Sequence, residues 1–587
     1  MEKRIDLSEL YKSDELFLKA LKKLLKEIKK YSFYEGHLFD SPEKFYEFLE
    51  YDTNLSKEME RLYLYAHINN DLDLSVAKYQ DYLGRVMKLL NDLNELSSFV
   101  IPEILQHSYD EFKIMCKSFS KLKEYDRNIK SIFRNKKIVK SKEEEALIAV
   151  LTSTYGKTEE ISEMLINTDL DYGTIKDEDG NNVLLTNSNY STYLESSDDR
   201  VRKDVFKALY KEFKAHENSF ATILATEIIN NNKIAKIRNF KSARELSLYH
   251  NDIKNNLYDE LINGVNKNID KFYPYYEFKQ KLLNLKEFHL YDTYANITKE
   301  YNKKYSYDEA KKIILESLGI LGNKYIEDLS KAFEDNWIDY LSIKTKRSGA
   351  YCTCAYVTHP YVVTNYEGKV NDISTLAHEL GHAMHYYYAQ NKQKYQDYNY
   401  SIFVAEVASQ VNEIILTDYL LKNSNDKEEK KYLLDMILNR FKATIIRQTM
   451  FAEFEDKIHN LENLGTTLTK DVLTSEYYNL NKKYFGSNVI IDDEIKYECF
   501  RIPHFYYNFY VYQYATGYSA ALKIANDIIN KKEGALEKYL KFLGLGATKD
   551  PVSSLKVAGV DMTDSSIYDE VFEIFSQRLD ELRSLYE

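Results

Sequence analysis

Residues 378–382 read His-Glu-Leu-Gly-His, within the segment TLAHELGHAMHYYY. In a helix, residues four apart stand one above the other, so His378 and His382 can direct both imidazoles at one metal ion. Glu379 stands about 100° around the same helix, where its carboxylate can reach a water beside the metal without becoming a ligand. In a chain of this composition a chance match to that pattern is expected only about 0.04 times. The chemistry implied is metal-assisted hydrolysis, and a catalytic zinc site needs a third protein ligand with one position left open.

Downstream, FVAEVASQVNEIILTDYLL (403–421) is a second strongly helical stretch, with Glu406 and Glu413 seven residues apart on one face. Glu406 follows Glu379 by 27 residues, which leaves room for the first helix to end, for QNKQKYQDYNY to turn, and for a second helix to pack alongside. Glu406 is therefore the candidate third ligand. Glu413 is either a partner for the outer nitrogen of a ligating histidine or a solvated helix position. His385 shares the face of His382, but ligands at i, i+4 and i+7 would spread over ~10 Å of helix, too far for one ion. His385 is expected to support a ligand or to sit in the core.

The elements that must position these residues are mostly helices. Among 587 residues there are 18 Gly and 6 Pro, against 53 Tyr and 28 Phe, so breakers are scarce and apolar material is ample. Residues 1–110 read as an N-terminal helical region, with LFLKALKKLLKEIKK (16–30) and SVAKYQDYLGRVMKLLNDLNELSSFV (75–100) showing three- and four-residue apolar spacing. Residues 111–195 form a second region, in which Asp-Gly-Asn-Asn between short β-prone segments predicts a hairpin. Residues 196–587 carry the motif. Within them GAYCTCAYVTHPYVVTNY (349–366) predicts two short strands, with Pro360 marking an edge position. NDIS (371–374) offers Asn371, Asp372 or Ser374 as the cap of the motif helix. A chain of this length exceeds what one core serves, so two or three lobes are expected.

The formal charge of −12, from 92 acidic and 80 basic residues spread along the chain, excludes a nucleic-acid polyanion as the natural partner. The charged start MEKRIDLSELYKSDELFLKALKKLLKEIKK has no signal-like apolar stretch and no later run approaches a membrane span, so a cytoplasmic protein is expected. Four cysteines, Cys116, Cys352, Cys354 and Cys499, are too few for a disulfide framework. Cys352 and Cys354 lack a second pair that could complete a metal clip.

Several segments, in order, resemble the oligoendopeptidase F branch of the thimet-type (M3) zinc peptidases: GAYCT, PYVVTNYEGKVNDISTLAHELGHAMH, FVAEVASQVNE, RQTMFAEFE (447–455) and RIPHFYYNFYVYQYATGYSAA (501–521), with YAHINNDLD (65–73) and EFHLYD (287–292) upstream. The resemblance covers most of the chain. It implies a mainly α, two-lobed helical zincin with a small β-sheet region beside the HExxH helix and a deep central channel. It implies one Zn2+ per chain, bound by His378, His382 and Glu406, with Glu379 as general base. His504 matches the family's substrate-binding histidine. Tyr507, Tyr510 and Tyr514, at i, i+3 and i+7 of a helix, are the favoured oxyanion partners over Tyr506, Tyr512 and Tyr518. Gly349 and Ala350 resemble the start of the edge strand that pairs with the peptide backbone. The activity implied is endoproteolysis of short unstructured peptides; the oligomeric state is not read from the sequence, a monomer being favoured. A metallocarboxypeptidase of related fold and a catalytically silent peptide-binding protein are the alternatives.

Overall fold

The structure, a computed structural model, describes residues 5–152, 154–299 and 301–587. The first four residues of the expected N-terminal region, with Ser153 and Glu300, lie outside the described residues. The fold is mainly helical, with one two-stranded and one three-stranded sheet among the described residues. Contacts group the chain into two compact units that interleave along the sequence: Met1–Ile138, Asn302–Leu420 and Ile524–Gly559 in one, Val139–Tyr301, Leu421–Lys523 and Val560–Glu587 in the other.

The first unit begins with helices Asp14–Glu27, Pro42–Leu72 and Ala77–Leu96. Ser13 and Ser41 cap the first two through their hydroxyls, and Pro42 takes the first helical position, where no N–H is needed. The buried face of Asp14–Glu27 is Phe17, Leu21 and Leu24, and Phe17 stacks on Tyr65 and Tyr82 from the next two helices. The YAHINNDLD segment ends the second helix, where the Asp71 carbonyl accepts the Arg347 N–H at 2.9 Å and Leu74 N–H reaches Thr345 at 2.8 Å. These bonds tie the helix to the loop that enters the sheet.

That sheet holds β3 (Ile338–Leu341), β4 (Tyr351–Thr353) and β5 (Tyr361–Tyr366) in the order β3-β5-β4, with β3 parallel and β4 antiparallel to β5. Tyr361 and Val363 alternate onto the core built by the N-terminal helices. Lys346 is buried beneath the sheet, its ammonium held by Asp339 Oδ1 and the Thr364 carbonyl at 2.6 Å each. The edge strand is β4. Pro360, expected to mark an edge, instead directly precedes the central strand, where its missing N–H falls before the ladder with β4 starts at Tyr361.

The motif helix runs Val370–Lys392. It begins one residue before the expected caps, because the Asp372 carboxylate accepts the N–H of Glu367 and of Lys369 at 2.9 Å each and so satisfies the helix start from within the first turn. The next long helix, Ile402–Asn423, lies against it at Gly381. A Cβ there would stand 2.5 Å from Ser409 Cα and 2.8 Å from the Ala408 carbonyl, so only glycine lets these backbones approach so closely. Asn412 fixes the pairing by donating to the Ala377 carbonyl at 3.1 Å.

In the second unit the predicted hairpin forms as β1 (Thr174–Lys176) and β2 (Asn182–Leu184). Asp177 accepts the N–H of Asp179 and Asn181, and Gly180 supplies the left-handed φ of +82° that the turn requires. EFHLYD contributes Asp292, whose carboxylate is buried against the Arg202 guanidinium at 2.7 Å. No helix among the described residues is long and apolar enough to cross a membrane.

Candidate active site

One imidazole nitrogen from each of His378 and His382 and one oxygen of Glu406 lie within 4.8 Å of one another, the one such group among the described residues. The two rings stand 4.9 Å apart at 81° on successive turns of the motif helix. Glu406 Oε2 is 3.4 Å from His378 Nε2, and its Oε1 is 3.7 Å from His382 Nε2. Two histidines and a carboxylate converging from two helices suit a zinc-like dication.

The outer nitrogens are held. His378 Nδ1 meets Glu413 Oε1 at 2.7 Å, and the other Glu413 oxygen accepts the Ser374 hydroxyl at 2.8 Å. His382 hydrogen-bonds the backbone of Ala405. Ser374, a candidate cap from the sequence, thus serves the site instead. Burial opposes charge on His378, but hydrogen bonds to Glu406 and Glu413 outweigh it and lift its metal-free pKa to about 10. Burial, reinforced by the charge on His378, pushes His382 down to about 4.

Glu379 is buried on the same helix. Burial, together with the charges of Glu406 and Glu413, raises its carboxyl to about 7 against the pull of His378 and of a hydrogen bond from the Cys352 backbone. The edge strand β4 therefore runs beside this carboxylate. Gly349 and Ala350 lie just ahead of β4 rather than within it, and the Gly349 carbonyl accepts from Asn365 at 3.0 Å. All four cysteines are free thiols. Cys354 lies past the end of β4 and donates to Gln390 at 3.1 Å.

His385 is a core residue. Its ring stacks on Tyr400 at 3.7 Å and touches Phe542, and burial drives its pKa to about 3. Among the described residues it makes no hydrogen bond to His378 or His382, since it stands two turns, about 10 Å, along the helix from His378.

In the second unit His504 and three tyrosines form a cluster, but not on a helical face. Residues 503–506 make one 3-10 turn, and the helix that follows starts only at Tyr512. Asn508 and Phe509 both take left-handed φ, +46° and +61°, and this turn folds Tyr507 and Tyr510 back over His504. Tyr507 and Tyr514 each present their rings 5.6 Å from His504, and Tyr510 joins them at 6.3 and 5.4 Å respectively. The Tyr514 hydroxyl is 3.4 Å from His504 Nε2. Tyr507 is exposed, and a hydrogen bond to Glu159 raises its pKa. Tyr512 and Tyr518 are buried.

Sequence reasoning assigned no role to Glu455, the last residue of RQTMFAEFE. Its Oε1 accepts the Phe509 N–H at 2.6 Å inside the protein, and the Ser247 hydroxyl binds the Asn508 carbonyl at 2.8 Å. Both ends of the left-handed turn are thereby clamped. The only signal for this in the sequence was the Asn preceding Phe509, since Asn tolerates the left-handed region.

Comparisons with known proteins agree with this architecture. A model described as Peptidase family M3 matches residues 192–574, and one described as Oligopeptidase F matches residues 103–172. The chain is 40% identical to oligopeptidase PepF of Bacillus subtilis, covering 99% of this chain and 86% of that protein. It is 37% identical to the group B oligopeptidase PepB of Streptococcus agalactiae, covering 99% and 96%. The crystal structure of oligoendopeptidase-F from Enterococcus faecium superposes with a TM-score of 0.74 at 36% identity, over 98% of this chain and 99% of that one. A crystallised protein of Chlamydophila abortus superposes with a TM-score of 0.95 at 34% identity, over 99% and 98%. The chain belongs to peptidase family M3, in its oligopeptidase F branch, and is a metalloendopeptidase.

Proposed function

We propose that this chain is a zinc-dependent endopeptidase that hydrolyses internal bonds of short unstructured peptides. The observation that carries the proposal is the convergence of His378, His382 and Glu406 to within 4.8 Å, with Glu379 buried one residue along the same helix. The donor set fits a dication on the structure's own terms: two imidazoles and a carboxylate converge from two helices, and Glu413 stands 2.7 Å from the outer nitrogen of His378, as a partner to a ligating imidazole would.

When bound, zinc supplies Lewis acidity that polarises the scissile carbonyl and acidifies water near it. Glu379, buried on the motif helix one residue from His378, takes the proton of the attacking water. It then delivers that proton to the departing amine nitrogen as the C–N bond breaks. Glu413 fixes the tautomer of His378 so that Nε2 offers its lone pair. The backbone hydrogen bond from Cys352 orients the Glu379 carboxylate.

Strand β4 pairs only with β5 among the described strands. Its free edge, led in by Gly349 and Ala350, suits backbone pairing with an extended peptide, which gives affinity with little side-chain preference. The oxyanion partners are assigned to His504, Tyr507, Tyr510 and Tyr514, because clustered phenol hydroxyls and an imidazole can donate to developing negative charge. A cytoplasmic, monomeric enzyme and a linear division at residues 110 and 195 belong to the same proposal.

The test uses internally quenched peptides with both ends blocked. Cleavage at internal bonds, lost on chelation, restored by Zn2+ and abolished in Glu379→Gln with metal retained, is the expected result. Cleavage only of peptides with a free terminal carboxylate, or full activity in Glu379→Gln, overturns it.

A further inference from the structure

Side chains alternate between the two faces of β4. Cys352 faces the motif helix, where the charge of Glu379 reaches its thiol. Tyr351 faces the N-terminal helices, its ring 5.7 Å from that of His67 on the helix Pro42–Leu72. One turn earlier on that helix Tyr63 stacks on His67 at 5.2 Å and 11°. Tyr63, His67 and Tyr351 are all half-buried, so these rings form a wall that solvent and ligands can reach.

One turn beyond His67, the Asp71 carboxylate is fully buried, which is costly unless partners compensate it. His67 Nε2 stands 3.3 Å from its Oδ2, Asn70 donates to its Oδ1 at 3.4 Å, and Tyr351 lies within reach of its charge. Arg347 Nη1 approaches both oxygens, at 3.4 and 3.5 Å. The Arg347 backbone is also held, since its carbonyl and that of Gly349 accept from Asn365 at 2.9 and 3.0 Å. Even so, the Arg347 side chain is 57% exposed, and Nη1 is its one hydrogen-bonded guanidinium nitrogen among the described residues. The guanidinium is anchored at one corner and offers the rest of its donor fork outward.

Exposure rises across this face of the sheet. Tyr361 and Val363 of the central strand β5 are 0% and 1% exposed, Tyr351 on β4 is half-buried, and Arg347 is largely open. The cluster therefore borders the unpaired edge of β4. Directly opposed residues of paired strands place their side chains on the same face. In a peptide paired to that edge, the residue opposite Tyr351 points towards His67 and Arg347, while its two neighbours point to the face of Glu379. Backbone pairing by itself selects little, so this position is where selectivity can enter.

We infer that Arg347 is a specificity-determining residue that takes a carboxylate of the peptide at the position opposite Tyr351, with the Tyr63 and His67 rings as the wall for its stem. The carboxylate has two sources, an acidic side chain or the end of the chain. The inference rests on the peptidase reading and on pairing of the substrate with β4.

The test uses internally quenched, end-blocked peptides of Ala and Gln in which one Glu replaces Gln at each position in turn. Mass spectrometry of the products places each Glu relative to the bond cut. At one such place kcat/KM for Glu should exceed that for Gln roughly three- to tenfold at low ionic strength. Arg347→Gln should abolish the preference, and Arg347→Lys, which keeps a charge beside Asp71, should retain only part of it. The ratio is taken within each preparation, so a variant that folds poorly loses both rates alike. A peptide without Glu but with a free C-terminus reports the second source. A gain there that Arg347→Gln removes assigns the site to chain ends, a gain from internal Glu assigns it to side chains, and either supports the inference. Equal cleavage with and without the carboxylate at every place, or a preference unchanged in both variants, would overturn it. Cleavage of no peptide would overturn the peptidase reading as well, which keeps the two failures apart.

Discussion

Glu413 Oε1 stands 2.7 Å from Nδ1 of His378 and accepts the Ser374 hydroxyl through its other oxygen. The carboxylate both turns the imidazole and fixes which nitrogen carries the proton, so that Nε2 is left to the metal. Such outer partners are worth roughly 10- to 100-fold in metal affinity. Glu413→Gln should lower zinc affinity by about that factor while the fold survives, because Gln still accepts from Ser374. Competition with a chelator of known affinity measures it, and unchanged affinity would refute the role given to Glu413.

The glycine of HELGH is a packing residue. With a Cβ at 2.5 Å from Ser409 Cα and 2.8 Å from the Ala408 carbonyl, Gly381→Ala must push apart the two helices that bring Glu406 to the histidines. Neither obstacle is a flexible side-chain end, so the cost should reach about 1–3 kcal/mol, as for other overpacked sites. Urea denaturation should show that loss, and the variant should also bind zinc more weakly. A variant with parent stability and full zinc content would contradict this geometry.

Without metal, His378 has a pKa of about 10 and His382 of about 4. At pH 8 the empty site therefore carries a proton on His378 that a metal ion must displace, while His382 is already neutral. Zinc uptake at pH 8 should release about one proton per site, and apparent affinity should rise about tenfold per pH unit until pH approaches 10. Titration in weakly buffered solution with a pH indicator counts the proton. Release of none would mean that the carboxylates do not hold His378 protonated.

How far the site could be read in advance depended on how local its determinants were. HELGH, the spacing to Glu406 and the seven-residue step to Glu413 follow from helical periodicity, and the structure places all of them within one unit. The role of Gly381 depends on a second helix and has no signature within five residues. Tyr507, Tyr510 and Tyr514 were expected to share a helical face, yet their meeting over His504 comes from two consecutive left-handed residues, one of them a phenylalanine, which propensity argues against. Pro360 misled because a strand's place in a sheet is set by which distant segments pair with it. The interleaving of the two units is likewise a property of long-range contacts, invisible to patterns of period two or 3.6.

The left-handed turn at Asn508–Phe509 depends on Glu455, and this makes it sensitive to pH. Burial lifts the Glu455 carboxyl to about 8 from an ordinary value of 4.5, even though the Phe509 N–H favours the ionised form. The folded protein thus binds this proton more tightly than the unfolded chain. The stabilisation is complete below about pH 4.5 and is lost as pH rises through about 8, a swing of order a few kcal/mol. Glu455→Gln mimics the protonated acid, can still accept from Phe509, and should flatten this dependence, leaving the variant more stable than the parent at pH 9. Glu455→Ala instead leaves a buried N–H without an acceptor, at about 1–3 kcal/mol, and frees the turn that carries Tyr507 and Tyr510. Its kcat should fall further than its stability loss explains, whereas Glu455→Gln should retain kcat. Chemical denaturation at pH 6 and pH 9, with kcat and KM for both variants, separates the two effects, and identical pH slopes for parent and Glu455→Gln would show that this carboxyl is not the group responsible.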